Sequence, residues 1–245
     1  MTIALVDMDI VCFRCAASCE PSKTRDWVEP LEVAVRRAEE MMERILVETQ
    51  ATSYKAFLTG QDNFRKEFNP EYKANRKDKT PPRWLQDLRE HAVLIYNASV
   101  SDGQEADDEM GIAQDKVGKT NKWHEGEYST VICSIDKDLL CIPGRHYNFV
   151  TMQHKEQSPL EAIQHFYYQL LMGDKADNIF GFDGLARQTI PQKLQHVFDE
   201  LFSYEKEQDM FEFVRGLYND DERLLMNGIC LRIRQTEGEI WTFPV

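Results

Sequence analysis

The amino-acid sequence predicts an α/β protein with a doubly wound, mostly parallel sheet, followed by a helical region. Over the first part of the chain, short apolar segments of strand character alternate with segments that repeat apolar residues at helical spacing. After Pro159 helical patterns dominate. We therefore expect two domains, residues 1–158 with the sheet and residues 159–245 with the helices.

The elements of the first domain follow from periodicity and β-branched content. Strands are expected at residues 3–7, 54–59, 93–100 and 130–135, with an edge strand at 147–152. Helices are expected at residues 31–49, 84–90 and 106–117, the second of them after the breaker Pro81-Pro82. This alternation is typical of parallel strands joined by crossover helices.

The second domain is predicted to contain helices at residues 159–172, 189–203 and 205–218. At the end of the chain, Cys230–Gln235 and Glu239–Phe243 flank Glu237-Gly238, which predicts a hairpin. The sequence shows no internal repeat and no low-complexity tract.

The charge distribution bears on the class of partner. The chain has 42 acidic and 29 basic residues, a net charge of −13, which disfavours approach to phosphates. Residues 65–91 depart from this balance with eight basic and five acidic residues. Taken alone, this segment fits a solvated surface, and the alternative is a phosphate-binding surface.

Two further features set the context. No apolar run approaches the roughly 20 residues of a membrane helix, and the first residues lack the basic region of a signal peptide, so we expect a cytoplasmic protein, in the host cytoplasm if a phage encodes it. Cys12, Cys15 and Cys19 share one helix face. A metal or redox cluster is one interpretation, but no partner pair follows downstream, and buried small apolar residues are favoured.

Four clusters of acidic residues lie where strands are predicted to end. The clusters are Asp7 with Asp9; Glu105, Asp107 and Asp108; Asp136 with Asp138; and Asp174 with Asp177. In a doubly wound sheet the loops at the carboxyl ends of strands converge on one crevice. Carboxylates gathered there repel unless a hard divalent cation such as Mg²⁺ or Mn²⁺ binds them. The simpler interpretation is helix capping, above all for Asp107-Asp108.

The order of several short motifs carries a resemblance to a known family. The motifs are Val6-Asp7-Met8-Asp9, Asn63-Phe64-Arg65-Lys66, Tyr72-Lys73-Ala74-Asn75-Arg76, Glu105-Ala106-Asp107-Asp108, Ser134-Ile135-Asp136-Lys137-Asp138 and Gly173-Asp174-Lys175-Ala176-Asp177-Asn178-Ile179. In this order they resemble the flap-endonuclease superfamily, nearest to the short phage and bacterial 5′→3′ exonucleases. The resemblance covers about residues 3–190. It implies a PIN-like nuclease core followed by a helix–three-turn–helix region.

The resemblance also implies roles. One divalent metal ion would be held or supported by Asp7, Glu105, Asp107 and Asp108, and a second by Asp136, Asp138, Asp174 and Asp177. Lys73 and Arg76 would reach the scissile phosphate, which fits electrostatic stabilisation of developing charge. Tyr72 would stack on a terminal base. Within a basic arch at about residues 63–91, Lys77 to Glu90 would admit a single-stranded 5′ end. Further DNA contacts would come from Arg65, Lys77, Lys79, Arg83, Gly184 and Arg187.

Two departures from the family pattern stand out. The family has an aspartate after the second strand, where Gly60 stands here, and Asp62 is a candidate replacement. The family loop with the pattern Gly-x-Gly-x-Lys, which binds the duplex backbone through a monovalent cation, keeps only its first glycine, Gly184. The monovalent cation is therefore left open, while Arg187 and Lys193 remain candidates for phosphate contacts.

The expected activity is hydrolysis of DNA near a free 5′ end or flap, with two Mg²⁺ or Mn²⁺ ions, leaving 5′-phosphates and 3′-hydroxyls. RNA–DNA hybrids and RNA remain possible substrates, the latter as for a PIN-type ribonuclease. Asp7-Met8-Asp9-Ile10-Val11 also fits a haloacid-dehalogenase phosphatase, which would leave the motifs at Tyr72, Glu105 and Asp136 unexplained. A non-catalytic DNA-binding relative is the third alternative, because Gly60 removes one expected ligand.

Overall fold

The structure is a computed structural model that describes residues 1–76, 80–120 and 129–244. The chain forms two compact units. The first comprises Met1–Asp62, Thr80–Asp136 and Gly144–Glu156, and the second comprises Asn63–Lys79, Lys137–Pro143 and Gln157–Val245. The change at Gln157 lies close to the predicted domain boundary. Two segments predicted in the first domain, Asn63–Lys79 and Lys137–Pro143, group with the second unit instead.

The bounds of the elements are as follows. The strands are β1 Ile3–Asp7, β2 Ser53–Leu58, β3 Ser99–Val100, β4 Thr130–Cys133, β5 Gly144–Asn148, β6 Gln153–Gln157, β7 Gly173–Asp174 and β8 Ile179–Phe180. The helices are α1 Met8–Ser18, α2 Leu31–Thr49, α3 Arg65–Phe68, α4 Leu85–Tyr96, α5 Ala106–Thr120, α6 Pro159–Met172, α7 Gln195–Ser203, α8 Glu207–Tyr218 and α9 Asp221–Leu231. No helix in the described part of the chain is both long and apolar enough to cross a membrane.

The first unit contains the predicted doubly wound sheet, in the order β3-β2-β1-β4-β5-β6. The pairs β1–β2, β1–β4, β2–β3 and β4–β5 are parallel. From β1 the chain winds outward through β2 and β3, and then returns to the other side of β1 with β4. The winding direction therefore changes between β1 and β4, which is where a parallel sheet opens a crevice at its carboxyl end.

The core of the first unit confirms the predicted helix faces. Along α2, Ala34, Ala38, Met42 and Ile45 are buried at helical spacing. The thiols of Cys12, Cys15 and Cys19 are free and buried among these apolar residues. Their interpretation as small core residues is thus confirmed. Burial also raises the pKa of Cys12 to about 12, which keeps its thiol protonated.

Two strand predictions in the first unit were wrong in extent. Residues 93–96 continue α4, and only Ser99–Val100 pairs as a strand. The helix is fixed by Leu88 and Ala92, which are buried four residues apart, and it ends where Asn97 adopts a left-handed conformation with φ of 51°. The predicted edge strand at 147–152 is replaced by β5 and β6, which are separated by a turn.

The second unit is mainly helical, as predicted, and its helices α7, α8 and α9 contact α6. Tyr218 of α8 donates a hydrogen bond of 2.6 Å to the carbonyl of Leu170. Gly228 of α9 packs closely against the indole ring of Trp241. A Cβ at this position would lie 2.1 Å from the ring, so the packing requires glycine. The predicted helix at 205–218 is observed as α8, whereas the helix predicted from residue 189 begins only at Gln195, after a 3₁₀ turn.

The predicted C-terminal hairpin was wrong. Residues up to Leu231 belong to α9, and the described residues 232–244 contain no strand. The Asp220 side chain caps α9 by accepting a hydrogen bond of 3.0 Å from the amide of Arg223. After the helix, the Glu239 side chain accepts hydrogen bonds from the amides of Gln235 and Thr236. This turn is therefore stabilised by a side chain, whereas the predicted hairpin would have been stabilised by backbone hydrogen bonds between strands.

Candidate active site

Asp7 stands at the carboxyl end of β1, at the point where the winding of the sheet changes. The residue is 3% exposed. Its carboxylate caps α1 by accepting a hydrogen bond of 3.1 Å from the amide of Ile10, and it accepts one of 2.7 Å from the hydroxyl of Ser134, just beyond β4. The same hydroxyl accepts a hydrogen bond of 3.0 Å from the amide of Asp136. The ends of β1 and β4 thus place two predicted ligands around one serine.

The electrostatics of Asp7 show the cost of this arrangement. Burial raises the pKa of Asp7 from 3.8 to about 7, the bonds from Ser134 and Ile10 lower it, and the charges of Asp9 and Asp136 raise it further. An ionised Asp7 is therefore disfavoured in the protein alone. A divalent cation would reverse this balance, so the oxygen donors present at this point fit a hard metal ion.

The acids at the start of α5 serve partly as caps. The Asp108 carboxylate, fully buried, accepts a hydrogen bond of 3.0 Å from the amide of Glu105. The amide of Ala106 donates one of 3.0 Å to the hydroxyl of Thr59 at the end of β2. Glu105 is also buried, whereas Asp107 is half-buried. The capping interpretation is therefore confirmed for Asp108, and α5 brings these acids to the carboxyl end of β2.

Asp9 forms an ion pair that the sequence did not predict. Its carboxylate binds the Arg89 guanidinium and accepts a hydrogen bond of 2.8 Å from the amide of Thr59. Arg89 also donates to the carbonyl of Thr59. The sequence offered no signal for this pair beyond the charges themselves, because 80 positions separate Asp9 from Arg89. Asp9 is accordingly compensated by a protein cation.

Gly60 occupies the position where the family pattern has an aspartate, and the backbone explains the glycine. A Cβ at Gly60 would lie 2.1 Å from the carbonyl oxygen of Ser101. The amide of Gly60 donates a hydrogen bond of 3.1 Å to the Ser101 hydroxyl. The two segments therefore approach too closely for any side chain here. Asp62, the candidate replacement, is exposed.

The predicted acids of the second unit lie on two segments. Asp138 belongs to the 3₁₀ helix Lys137–Cys141, and its carboxylate accepts a hydrogen bond of 2.8 Å from the Gln169 side chain of α6. Asp174 follows α6 in β7 and accepts hydrogen bonds from the amides of Ala176 and Asp177, which fix the turn between β7 and β8. No motif in the sequence had indicated a role for Gln169.

Asp177 binds the basic motif of this chain, Tyr72 to Arg76. Its carboxylate accepts hydrogen bonds from the Tyr72 hydroxyl at 2.8 Å and from Arg76 at 2.6 Å, and Lys73 Nζ lies 3.6 Å away. Backbone contacts add to this, since the amide of Lys73 donates to the carbonyl of Asp177 at 3.0 Å. Lys73 and Arg76 are therefore gathered at a predicted metal ligand.

The placement of Tyr72 contradicts its predicted stacking on a base. The residue is buried, with 3% of its surface exposed, and Lys73 Nζ lies 5.0 Å from the ring centroid. A ring so enclosed leaves no open face on which a base could stack. The hydroxyl instead anchors the segment to Asp177.

The predicted DNA contact of Arg65 is also contradicted. Arg65 is 1% exposed and donates hydrogen bonds of 2.8 Å and 2.9 Å to the carbonyls of Cys230 and Arg232. These carbonyls lie at the end of α9, where helix carbonyls lack partners and attract a cation. Arg65 thus joins α3 to α9 and cannot reach a phosphate.

The remaining predicted DNA contacts differ in accessibility. Arg83 is exposed, beside the ring of Trp84. Arg187 is ion-paired with Asp183 and holds the pKa of that carboxyl below its usual value through its hydrogen bonds. Gly184 adopts φ of 76°, which favours glycine. Lys77 and Lys79 lie outside the described residues.

In the described part of the chain, no three Asp, Glu, His or Cys side chains form a ready-made metal-ligand group. Within each unit the acids instead bind protein donors: Ser134 at Asp7, Arg89 at Asp9, Gln169 at Asp138 and Arg76 at Asp177. Such donors compensate carboxylates in the absence of a cation.

Comparison with known proteins identifies relatives. Residues 2–168 match the family described as "5′-3′ exonuclease, N-terminal resolvase-like domain". The bacteriophage T5 D15 protein co-crystallised with metal ions is similar, with a TM-score of 0.65 and 18% identity over 94% of this chain and 89% of that chain. The bacteriophage T5 D15 flap endonuclease in a complex with DNA and metal ions gives 0.64 and 18% over the same shares. A mutant T5 5′-exonuclease gives 0.60 and 17% over 94% and 87%. A search of curated proteins found no significant match.

Proposed function

The chain belongs to the 5′-3′ exonuclease family through its N-terminal resolvase-like domain, and on this premise we propose that it is a structure-selective 5′ nuclease that hydrolyses DNA by two-metal catalysis. The observation that carries the proposal is the buried carboxylate of Asp7. It lies at the end of β1, where the winding direction of the sheet changes, beside Ser134 and Asp136. Its pKa is raised to about 7. A buried acid at this point is expected where a cation is to be bound.

The proposed ligands follow the family resemblance. Asp7, Glu105, Asp107 and Asp108 would hold or support one ion, and Asp136, Asp138, Asp174 and Asp177 the other. Divalent ions in such a site activate a water and stabilise the leaving oxygen of a phosphodiester. Mg²⁺ and Mn²⁺ suit the donors, which are all oxygen. The T5 protein that this chain resembles was crystallised with metal ions.

The chain's own cations supply the second part of the chemistry. Lys73 and Arg76 lie beside Asp177, so they would meet a phosphate that approaches this carboxylate together with a cation. Their positive charge would stabilise the charge that develops on the phosphate oxygens. Each would exchange its bond to Asp177 for one to the substrate.

The proposed substrate is DNA with a free single-stranded 5′ end or flap, cut to leave a 5′-phosphate and a 3′-hydroxyl. Support comes from the resemblance of the basic segment to the family arch and from the T5 flap endonuclease complex with DNA. RNA–DNA hybrids are a second substrate class. An exposed Arg83 is consistent with an accessible basic surface in the first unit.

A non-catalytic DNA-binding protein is the one competing function that a specific observation favours. Gly60 lacks the family carboxylate, and the close approach of Ser101 excludes a side chain there. Loss of one ligand could abolish catalysis while binding persists. Cleavage and binding must therefore be measured separately.

The decisive experiment incubates the protein with 5′-labelled single-stranded, flapped and blunt DNA, with Mg²⁺, with Mn²⁺ and with EDTA. We expect cleavage near the 5′ end only with a divalent ion. Asp136→Ala should abolish cleavage and keep most DNA binding, whereas Glu43→Ala, which removes an exposed acid of α2, should cut normally. Metal-independent binding without cleavage would favour the binding protein, and normal turnover by Asp136→Ala would remove that residue from the site.

A further inference from the structure

In a buried glutamine of α6, the amide nitrogen forms a hydrogen bond and the amide oxygen does not. Gln169 is 5% exposed, and its Nε2 donates a hydrogen bond of 2.8 Å to Asp138 Oδ1. Its Oε1 is buried and has no hydrogen-bond partner among the described residues. Because an ionised carboxylate oxygen only accepts, the amide nitrogen must face Asp138, and the orphan atom is therefore the acceptor oxygen.

An orphan acceptor of this kind is costly. A buried carbonyl-type oxygen without a donor destabilises a protein, because the hydrogen bonds that it made with water are not replaced. An apolar side chain of the same size would avoid this cost. Buried polar atoms without partners are rare enough to need an explanation, of which an unfilled ligand position is one.

The position of Gln169 suggests what the missing donor is. It contacts Asp138 directly and lies five residues before Asp174 in the sequence, so it is tied to the acids proposed for the second metal ion. Divalent ions such as Mg²⁺ keep several waters when protein carboxylates bind them. Such waters are strong donors, and outer partners of this kind commonly orient metal-binding carboxylates.

We propose that Gln169 is a positioning residue for the metal ion proposed at Asp138. Its Nε2 fixes the orientation of the Asp138 carboxylate, and its Oε1 accepts a hydrogen bond from a water of the bound cation. This inference rests on the proposed function. It adds a neutral amide to the carboxylates proposed for that ion.

A second glutamine, which contacts the same 3₁₀ helix Lys137–Cys141, provides a matched control. Gln157 is 2% exposed, its Nε2 donates a hydrogen bond of 2.8 Å to the carbonyl of Leu140, and its Oε1 is likewise buried without a partner in the described ranges. Gln157 therefore shares the burial, the chemistry and the supported turn. It differs in binding a backbone carbonyl instead of a carboxylate. If both glutamines had a purely structural role, replacing either one would have the same effect on Mn²⁺ binding.

The experiment measures binding of Mn²⁺ alone to the full chain by calorimetric titration without DNA, together with thermal stability in EDTA. Gln169→Met should weaken binding at one site by about 10–100-fold. Thermal unfolding in EDTA shows whether the variant is folded, since Gln169→Met also loses the hydrogen bond to Asp138. Gln157→Met should bind Mn²⁺ as the wild type does. If Gln169→Met does not fold, Gln169→Asn, which keeps an amide but shortens its reach, should show the same loss.

Two results would overturn the inference: unchanged Mn²⁺ affinity in the folded Gln169 variant, or an equal loss in Gln157→Met. The outcome is separable from the proposed function. A wild-type protein that binds Mn²⁺ and cuts DNA while Gln169→Met matches it leaves the nuclease standing and removes only Gln169. A wild-type protein that neither binds Mn²⁺ nor cuts DNA removes both.

Discussion

The Ser134 hydroxyl donates a hydrogen bond of 2.7 Å to the carboxylate of Asp7, although 127 positions separate the two residues. The bond joins the ends of β1 and β4, the neighbouring strands between which the sheet changes its winding direction. It stabilises the ionised form of a carboxylate that burial otherwise disfavours. The properties of Asp7 can therefore be tested by its titration as well as by catalysis.

The first prediction concerns the stability of the metal-free protein. Burial raises the pKa of Asp7 from 3.8 to about 7 in the folded state. Between these values the folded protein holds a proton that the unfolded chain releases, so this contribution to stability is complete below about pH 4 and is lost as the pH rises to about 7. The full change corresponds to roughly 4 kcal/mol. Asp7→Asn should remove this decrease.

The measurement is the free energy of unfolding in urea, with EDTA, at several pH values from about 4 to 7.5, the range that the shift spans. A saturating divalent ion should also reduce the decrease in the wild type, because it favours the ionised carboxylate. Parallel pH curves for the wild type and Asp7→Asn in EDTA would contradict the assignment of the raised pKa to Asp7.

The second prediction concerns Gly60. Because a Cβ there would meet the Ser101 carbonyl at 2.1 Å, Gly60→Ala and Gly60→Asp should both destabilise the protein by about 1–3 kcal/mol or more. Asp should not act as a restored ligand. Gly216→Ala is the control, since a Cβ at Gly216 in α8 would enter open space and alanine favours a helix by about 1 kcal/mol. Thermal unfolding distinguishes them, and a stable Gly60→Asp with tighter Mn²⁺ binding would refute the steric explanation.

The third prediction separates two arginines of the predicted DNA-binding set. Arg65→Ala should destabilise the protein by about 3 kcal/mol or more, because it leaves the carbonyls of Cys230 and Arg232 without their buried donor. Arg83→Ala should leave Tm unchanged and weaken DNA binding, with a smaller dependence on salt. Urea unfolding and binding titrations at two salt concentrations provide the measurements. A stable Arg65→Ala with weakened binding would reverse the assignment.

The fourth prediction concerns Lys73, whose Nζ lies 3.6 Å from Asp177. Lys73→Ala should lower the single-turnover cleavage rate by about 100-fold or more, with a much smaller change in DNA affinity, because its charge is needed most as the phosphate charge develops. Lys66→Ala removes an exposed lysine of the same segment and should retain the rate. An unchanged single-turnover rate for Lys73→Ala would exclude it from the reacting centre.

Many of the strands and helices were predictable, because they depend on local sequence patterns. The buried run Ile3–Asp7 and the apolar spacing of α2 and α6 each reflect burial of one face, which the sequence carries directly. The same logic placed Asp7 at a strand end and Asp108 at a helix start. It failed at α4, where β-branched residues on an exposed helix face imitated a strand, and at the C-terminus, where α9 was missed.

The sequence by itself determined the parallel sheet, the acidic strand ends and the basic segment, because residue type and spacing fix which face of an element avoids water. Only the tertiary structure decided what those residues contact. The Arg65 guanidinium meets a carbonyl 165 positions away, Tyr72 meets Asp177, and the backbone of Ser101 closes the space at Gly60. These outcomes depend on burial and on partners distant in the chain. They make Arg65 a core residue although its charge suggested a surface position, and they explain by steric contact why glycine stands at position 60.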